Sequence, residues 1–188
     1  MTNRSKSLLY AAIIGLIIVA IFLGFLSSLT NPISWILIAV LALIPLVYKK
    51  TLQGNQMQWH DEYSVGIESL DNDHKKLINL LNQFTTAYDY AMSEDFEREA
   101  LNDLIAYTKY HFEREENLLE EHNYEDVEAH KKQHKAMIAQ VETFITLYDE
   151  KGHDALSEVS GFLKQWLINH INGTDKEYTQ CLTEHGVK

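Results

Sequence analysis

The sequence predicts an all-α protein, an up-down-up-down four-helix bundle preceded by a two-span transmembrane helical hairpin. Three observations carry this. The first fifty residues hold two long apolar runs and no acidic residue. From about Asp71 onward, apolar residues recur every three or four positions, and no strand-like alternation interrupts them. The connections between these periodic segments are short, which favours antiparallel neighbouring helices.

Residues 1–50 read as a membrane anchor. Leu8 to Leu29 is an uncharged run of 22 residues, and a bilayer-spanning helix needs about 20. Ile33 to Tyr48 is a second run of 16, which Lys49 and Lys50 can extend by snorkelling. Asn31-Pro32 between the runs is a helix start with proline in first position. The first run is too long for a signal-peptide core, and no A-x-A-like cleavage site follows it. Arg4 and Lys6 precede the first span, Lys49 and Lys50 follow the second, and the turn between is free of basic residues. The positive-inside rule therefore places both ends, and the soluble domain, on the cytoplasmic side of a bacterial inner or intracytoplasmic membrane. Ala11/Gly15 and Ala20/Gly24 have the small-xxx-small spacing through which spans form homo-oligomers.

Residues 51–58 read as a polar linker, and residues 59–188 as the soluble domain. All 27 acidic residues lie beyond Lys50 with 12 of the 16 basic ones, a formal charge of −15. Such a surface repels phosphate backbones, so nucleic acid is excluded as a partner. Cys181 is the single cysteine and rules out an internal disulfide.

Four amphipathic helices are predicted. The first, about Asp71 to Tyr90, aligns Leu77, Leu81, Phe84 and Tyr88. The second, about Ser93 to Glu121, aligns Leu101, Leu104, Thr108, His111, Glu115 and Leu118. The third, about Asp126 to Lys151, aligns Val127, His130, His134, Met137, Val141, Phe144 and Tyr148. The fourth starts near Asp154 and runs through Leu156, Val159, Leu163, Trp166 and His170 towards Leu182. Each stripe thus carries ionisable residues where leucine is expected, with His74 lying one turn before Leu77 and Ile78. Buried unpaired, each charged group would cost several kcal/mol, more than a domain stable by about 5–15 kcal/mol can absorb.

A metal centre removes the difficulty. The pairs HFERE (His111, Glu115) and HKKQH (His130, His134) are spaced i,i+4, so each projects from one helix face. In WLINHINGTD the interval from His170 to Asp175 is five, which leaves the two about 140° apart on an ideal α-helix. A local π-type widening, eased by Gly173, turns both inward. Imidazole with carboxylate suits iron, zinc, copper or manganese. Five histidines and two carboxylates are too many for one tetrahedral ion. If both carboxylates and a solvent-derived oxygen bridge two ions, three histidines saturate one ion and two leave the other with an open position.

His74, His111, Glu115, His130, His134, His170 and Asp175 match, without a departure, the pattern H…HxxxE…HxxxH…HxxxxD. With WHDEYSVGIESLDNDH (Trp59 to His74) and WLINHINGTDKEY (Trp166 to Tyr178), residues from about Trp59 to Glu184 resemble the hemerythrin family, in particular its bacterial hemerythrin-like (bacteriohemerythrin) domains. The resemblance implies two iron ions bridged by an oxo or hydroxo group, with O₂ as ligand. It assigns His130, His134 and His170 to the six-coordinate iron, His74 and His111 to the five-coordinate one, and Glu115 and Asp175 to both. Leu77, Ile78, Phe112, Trp166, Leu167 and Ile171 match the apolar lining of the O₂ pocket, and Tyr178 matches a hydrogen-bonding residue behind the ligands. His60, His122, His153 and His185 fall off the pattern and are expected in solvent.

The resulting expectation is a membrane-tethered O₂ binder that stores, buffers or delivers O₂. A membrane oxidase or oxygenase is the expected recipient, because O₂ partitions into lipid. The alternatives are a di-iron enzyme acting on nitric oxide or peroxide, a ferroxidase, or an O₂ or redox sensor. Oxygen-activating di-iron enzymes use more carboxylates, and a set with five histidines and two carboxylates favours binding over catalysis.

Overall fold

The computed structural model describes residues 3–89 and 93–188, and all side chains within them but those of residues 3–7, 47–55 and 157. The described residues form helices and turns with no strand. The chain divides into two compact units, Met1–Gln56 and Met57–Lys188.

The first unit is a helical hairpin of α1 (Asn3–Ser27) and α2 (Pro32–Asn55). Asn31 caps α2, its side-chain oxygen accepting from the Ile33 amide at 3.0 Å while its amide donates to the Gly24 carbonyl. Ser34 is fully buried and donates to the Ile21 carbonyl at 3.3 Å. A Cβ on Gly24 would meet Ser34 Oγ at 2.1 Å, so glycine is required for the two helices to approach so closely. Phe25 and Trp35 close the turn edge to face. The Gly24 contact is thus made inside the hairpin, whereas a Cβ on Gly15 would meet nothing within 4 Å.

Only one described helix is long and apolar enough to cross a membrane, α1 over Leu8–Ser27. The expected second span is not supported: the apolar part of α2, Pro32–Leu46, is shorter than the roughly 20 residues a bilayer requires. Pro45 lies inside α2, which then continues through Asn55 where a linker was expected. The orientation expected from Arg4, Lys6, Lys49 and Lys50 rests on side chains outside those described.

The second unit is built from α3 (Glu68–Asp89), α4 (Glu94–Glu121), α5 (Val127–Lys151) and a fourth rod. That rod consists of α6 (Val159–His170), a π turn over Ile171–Asp175 and α7 (Lys176–Glu184). Helix α3 packs against α4 and α6, α4 against α5, and α7 against α4. The core holds Leu77, Leu81, Phe84, Leu101, Met137, Val141, Leu163 and Leu182 from the stripes read at the 3.6-residue period, and adds Leu70 and Leu119. Leu119 is buried where Leu118 was expected, and Leu118 is only partly so. Ahead of α3 an extended arm is pinned down. Met57 and Asn82 exchange two hydrogen bonds of 2.9 Å, and Asp71 accepts from Ser64 Oγ and the Val65 amide.

Helix limits differ modestly from expectation. The first bundle helix starts earlier, at Glu68, and its expected end at Tyr90 lies outside the described residues. Ser93 caps α4 by accepting from the Phe96 amide at 3.2 Å. The α4–α5 turn passes through Asn123 at φ 53°, a left-handed conformation that asparagine tolerates. Gly152, at φ 66°, stops α5. A 3₁₀ segment over Gly152–Ser157 follows, so the fourth rod becomes α-helical at Val159 and not near Asp154.

Candidate metal centre

The four rods bring all seven sequence-predicted side chains to one buried place. His74 comes from α3, His111 and Glu115 from α4, His130 and His134 from α5, His170 from the end of α6 and Asp175 from the π turn. Each is at most 5 % exposed. The π turn makes His170 and Asp175 neighbours. Hydrogen bonding from i to i+5 widens the turn and brings residues five apart onto one face, and His170 Nε2 lies 3.1 Å from Asp175 Oδ1. Gly173 is not sterically needed for this, since a Cβ there would meet nothing within 4 Å.

Glu115, His130, His134 and His170 form one tight group whose ligand atoms all lie within 4.8 Å of one another. His134 and His170 meet Nε2 to Nε2 at 2.8 Å. His130 Nε2 lies 3.6 Å from Glu115 Oε1 and 3.7 Å from Asp175 Oδ1. His74 Nε2 is 3.4 Å from Asp175 Oδ2, the oxygen opposite the one His130 and His170 approach, whereas Glu115 Oε2 is shared by His111 Nε2 at 3.4 Å and His134 Nε2 at 3.6 Å. The His74 and His111 rings are edge to face, 4.8 Å apart.

Both oxygens of Glu115, both of Asp175, both ring nitrogens of His74 and of His130, and His111 Nδ1 are buried without a hydrogen-bond partner. Orphaned buried polar atoms are rare, and each implies a missing partner. Ligand atoms bound about 2.1 Å from one ion at right angles sit roughly 3 Å apart. The nitrogen–oxygen separations here are of that size or a little longer. The donor set and its spacing therefore fit cations held between the helices.

The electrostatics divide the set. Burial acts to raise the Glu115 carboxyl, but His130 above all, then His111 and His134, hold it well below the usual carboxylate range. Burial, with His170, His130 and His111, pushes His134 down to about 2 against the pull of Glu115. His170 is also depressed, chiefly by burial. His111 is raised against burial by Asp73 and Glu115, and His130 likewise by Glu115.

Three carboxylate and cation partners behind the ligands escaped the sequence reading. Glu116 Oε1 accepts from His134 Nδ1 at 2.9 Å. Asp73 faces His111 Nδ1 at 3.6 Å and is held by Tyr107 at 2.8 Å and Arg114 at 2.9 Å. Both acids lie beside a ligand in sequence, but their partners are on other helices or outside any helical spacing, so no periodicity marks them.

The predicted apolar lining divides too. Phe112 stacks on His134 with centroids 3.6 Å apart, and Trp166 stacks on His170 at 4.3 Å. These two, with Leu77 and Leu167, border an apolar cavity of about 30 Å³ that extends along the bundle to Leu104, Met137, Val141 and Leu163. Ile78 and Ile171 are buried but do not border it. The hydroxyl of Thr108, a polar group in its wall, is turned to the Leu104 carbonyl at 2.8 Å. Tyr178 is fully buried with its ring 5.6 Å from His130, but its hydroxyl makes no hydrogen bond. Burial, then Glu115 and Asp175, raises its pKa and keeps it a neutral phenol.

Of the off-pattern histidines, His60 and His185 are exposed as expected, while His122 and His153 are half-buried. His153 Nδ1 bonds buried Glu97 at 2.8 Å while its ring stacks on Tyr88. His122 and His185 lie edge to face. His60 packs on Tyr63.

A bundle whose helices each deliver histidine or carboxylate to one buried interior point has the donor set of a helical cation-binding protein. Comparison with known proteins gives the family. The Hemerythrin HHE cation binding domain matches residues 65–182, and the chain belongs to the hemerythrin family. It is 33 % identical over 127 residues to a protein named Bacteriohemerythrin from Stenotrophomonas maltophilia, covering 68 % of this chain and 82 % of that one. A Bacteriohemerythrin from Clostridium acetobutylicum is 31 % identical over 127 residues, 64 % of this chain and 96 % of its own. A crystal structure of wild-type hemerythrin aligns with a TM-score of 0.61 at 25 % identity, over 68 % of this chain and 98 % of that one.

Proposed function

We propose that this chain is a non-haem di-iron protein that binds O₂ reversibly, tethered to a membrane by its N-terminal unit. The observation that carries the metal reading is the set of buried, orphaned donor atoms on His74, Glu115, His130 and Asp175. His130, His134 and His170 would hold one iron, His74 and His111 the other, with Glu115 and Asp175 shared. An iron pair held there would supply redox-active Lewis-acid chemistry able to take up a small ligand. Glu116 and Asp73 orient His134 and His111, fixing which ring nitrogen faces inward. Phe112 and Trp166 shield the three-histidine side from water.

The cavity supports a diatomic ligand over an organic substrate. About 30 Å³ is space for one or two water-sized bodies, and a largely apolar wall stays dry. No ionisable side chain lines that wall to protonate a substrate. The Thr108 hydroxyl is turned to the Leu104 carbonyl and the Trp166 indole N–H can only donate, which favours a binder over an enzyme. The tether is supported by α1, which is long and apolar enough to span, and by the exposure of most of its large apolar side chains, among them Leu8, Leu16, Phe22 and Leu26. We assign the bundle to residues 59–188, and Ala11/Gly15 to self-association. A membrane oxidase or oxygenase is the proposed recipient of the O₂.

The direct test is stopped-flow mixing of anaerobic, reduced, detergent-extracted protein with O₂, followed by argon sparging. Reversible appearance and loss of an oxygenated optical spectrum, with two irons per chain, is the expected result. Irreversible oxidation in the first cycle, or a single metal per chain, overturns the reading.

A further inference from the structure

His122 and His185 lie outside the seven-residue cluster, at the C-terminal ends of α4 and α7, two helices that pack together. Each is the C-cap of its helix. His122 Nδ1 lies 2.8 Å from the Leu118 carbonyl and His185 Nδ1 lies 2.7 Å from the Cys181 carbonyl. A carbonyl oxygen only accepts, so in both rings Nδ1 carries the proton and Nε2 is left as a lone-pair donor. Metal-binding histidines are oriented in this way, by a hydrogen bond from the other nitrogen.

The two rings are 5.4 Å apart, centroid to centroid, at 69°. In the buried cluster the pairs His130–His134, His134–His170 and His74–His111 stand at 4.5–4.8 Å and 56–87°. The peripheral pair stands slightly farther apart than the core pairs at a similar angle, close enough for one ion to reach both rings. The thiol of Cys181 faces the His122 carbonyl at 3.8 Å, which ties α7 to the end of α4 and sets the two rings against each other. Both helix dipoles also present their negative ends here, which favours a cation.

We infer that His122 and His185 form a second, peripheral site for a borderline divalent cation such as Zn²⁺, bridging the ends of α4 and α7. Two imidazole nitrogens suit this class of ion, and water completes its coordination. Cys181, turned to the His122 carbonyl, positions the pair and is not a ligand. The site uses none of the seven core residues and stands apart from the iron reading.

The test is equilibrium dialysis of iron-loaded, detergent-extracted full-length protein against Zn²⁺, with both metals counted. One zinc per chain is expected with iron content unchanged. His122→Ala and His185→Ala should each weaken zinc binding at least tenfold while the iron content and optical spectrum stay as in the parent. His185→Gln retains a donor for the Cys181 carbonyl but lacks the Nε2 lone pair, and should bind as weakly as His185→Ala. Three results would overturn the site: no zinc bound by the parent, equal binding by all three variants, or zinc uptake matched by loss of iron. Any of them leaves two ordinary histidine C-caps.

Discussion

Asp73 precedes His74 in the chain, yet its carboxylate turns to His111 on the neighbouring helix, 3.6 Å from Nδ1. Tyr107 and Arg114 hold it there, and with His111 they keep it ionised against the effect of burial. Outer carboxylates of this kind raise the basicity of a ligand histidine and fix its tautomer, and their loss costs about 10–100-fold in metal affinity. Asp73→Asn should lose metal to a competing chelator faster by a factor in that range. Its helical circular dichroism should match the parent. Unchanged metal loss would reduce Asp73 to a partner of Arg114 alone.

The two groups of histidines should fail differently. His130→Ala and His134→Ala remove donors from the compact four-residue group and should leave the protein nearly free of iron. His74→Ala and His111→Ala lie outside that group and should retain part of the iron while losing reversible O₂ binding. Iron counts per chain beside O₂ difference spectra separate the cases. Equal metal loss in all four variants would remove the division.

The alkaline limit should be set in part by Tyr148. Burial, with Glu97 beside it, pushes this phenol up to about 12, and its hydroxyl donates to the Glu94 carbonyl at 3.1 Å. An unfolded tyrosine ionises near 10. The folded value is the higher one, so the contribution is complete below about pH 10 and is lost as the pH rises towards 12. Tyr107, pushed up to about 12 by burial and Asp73, acts in the same window. In an absorbance titration at tyrosinate wavelengths Tyr148→Phe should remove one late-ionising tyrosine of the ten, and stability between pH 10 and 12 should fall less steeply. A tyrosinate removed near pH 10 would contradict the buried setting.

How much could be read without coordinates follows from the range of each interaction. The pairs His111/Glu115 and His130/His134 obey the helical period, and the five-residue interval from His170 to Asp175 already required the π turn found there. Asn31-Pro32 likewise announced the start of α2. What periodicity cannot show is which side chain on one helix faces which on another. Asp73, Glu116 and the bond from His153 to buried Glu97 are contacts of that kind. The second span is a different case. Apolar composition suggests it, but among the described residues the apolar stretch of α2 is shorter than a bilayer needs, so only α1 stands as a candidate span.

Filling the cavity tests whether it admits ligand. Val141 is 4 % exposed and borders the cavity, but belongs to none of the metal-facing contacts. Val141→Phe adds volume where about 30 Å³ is open, so part of the ring fits and the rest must displace neighbours. Overpacking of this kind costs about 1–3 kcal/mol, which a stable bundle survives. If small apolar ligands travel through this space, association of O₂ with reduced protein should slow several-fold, with the iron count and the final oxygenated spectrum unchanged. Val141→Ala enlarges the same space and should leave association as fast or faster, at a stability cost of the kind expected for buried methyl loss. Opposite shifts in the two association rates would identify the cavity as the route. Equal rates in both variants and the parent would assign it to packing alone, and entry would then lie on the His74–His111 side of the bundle.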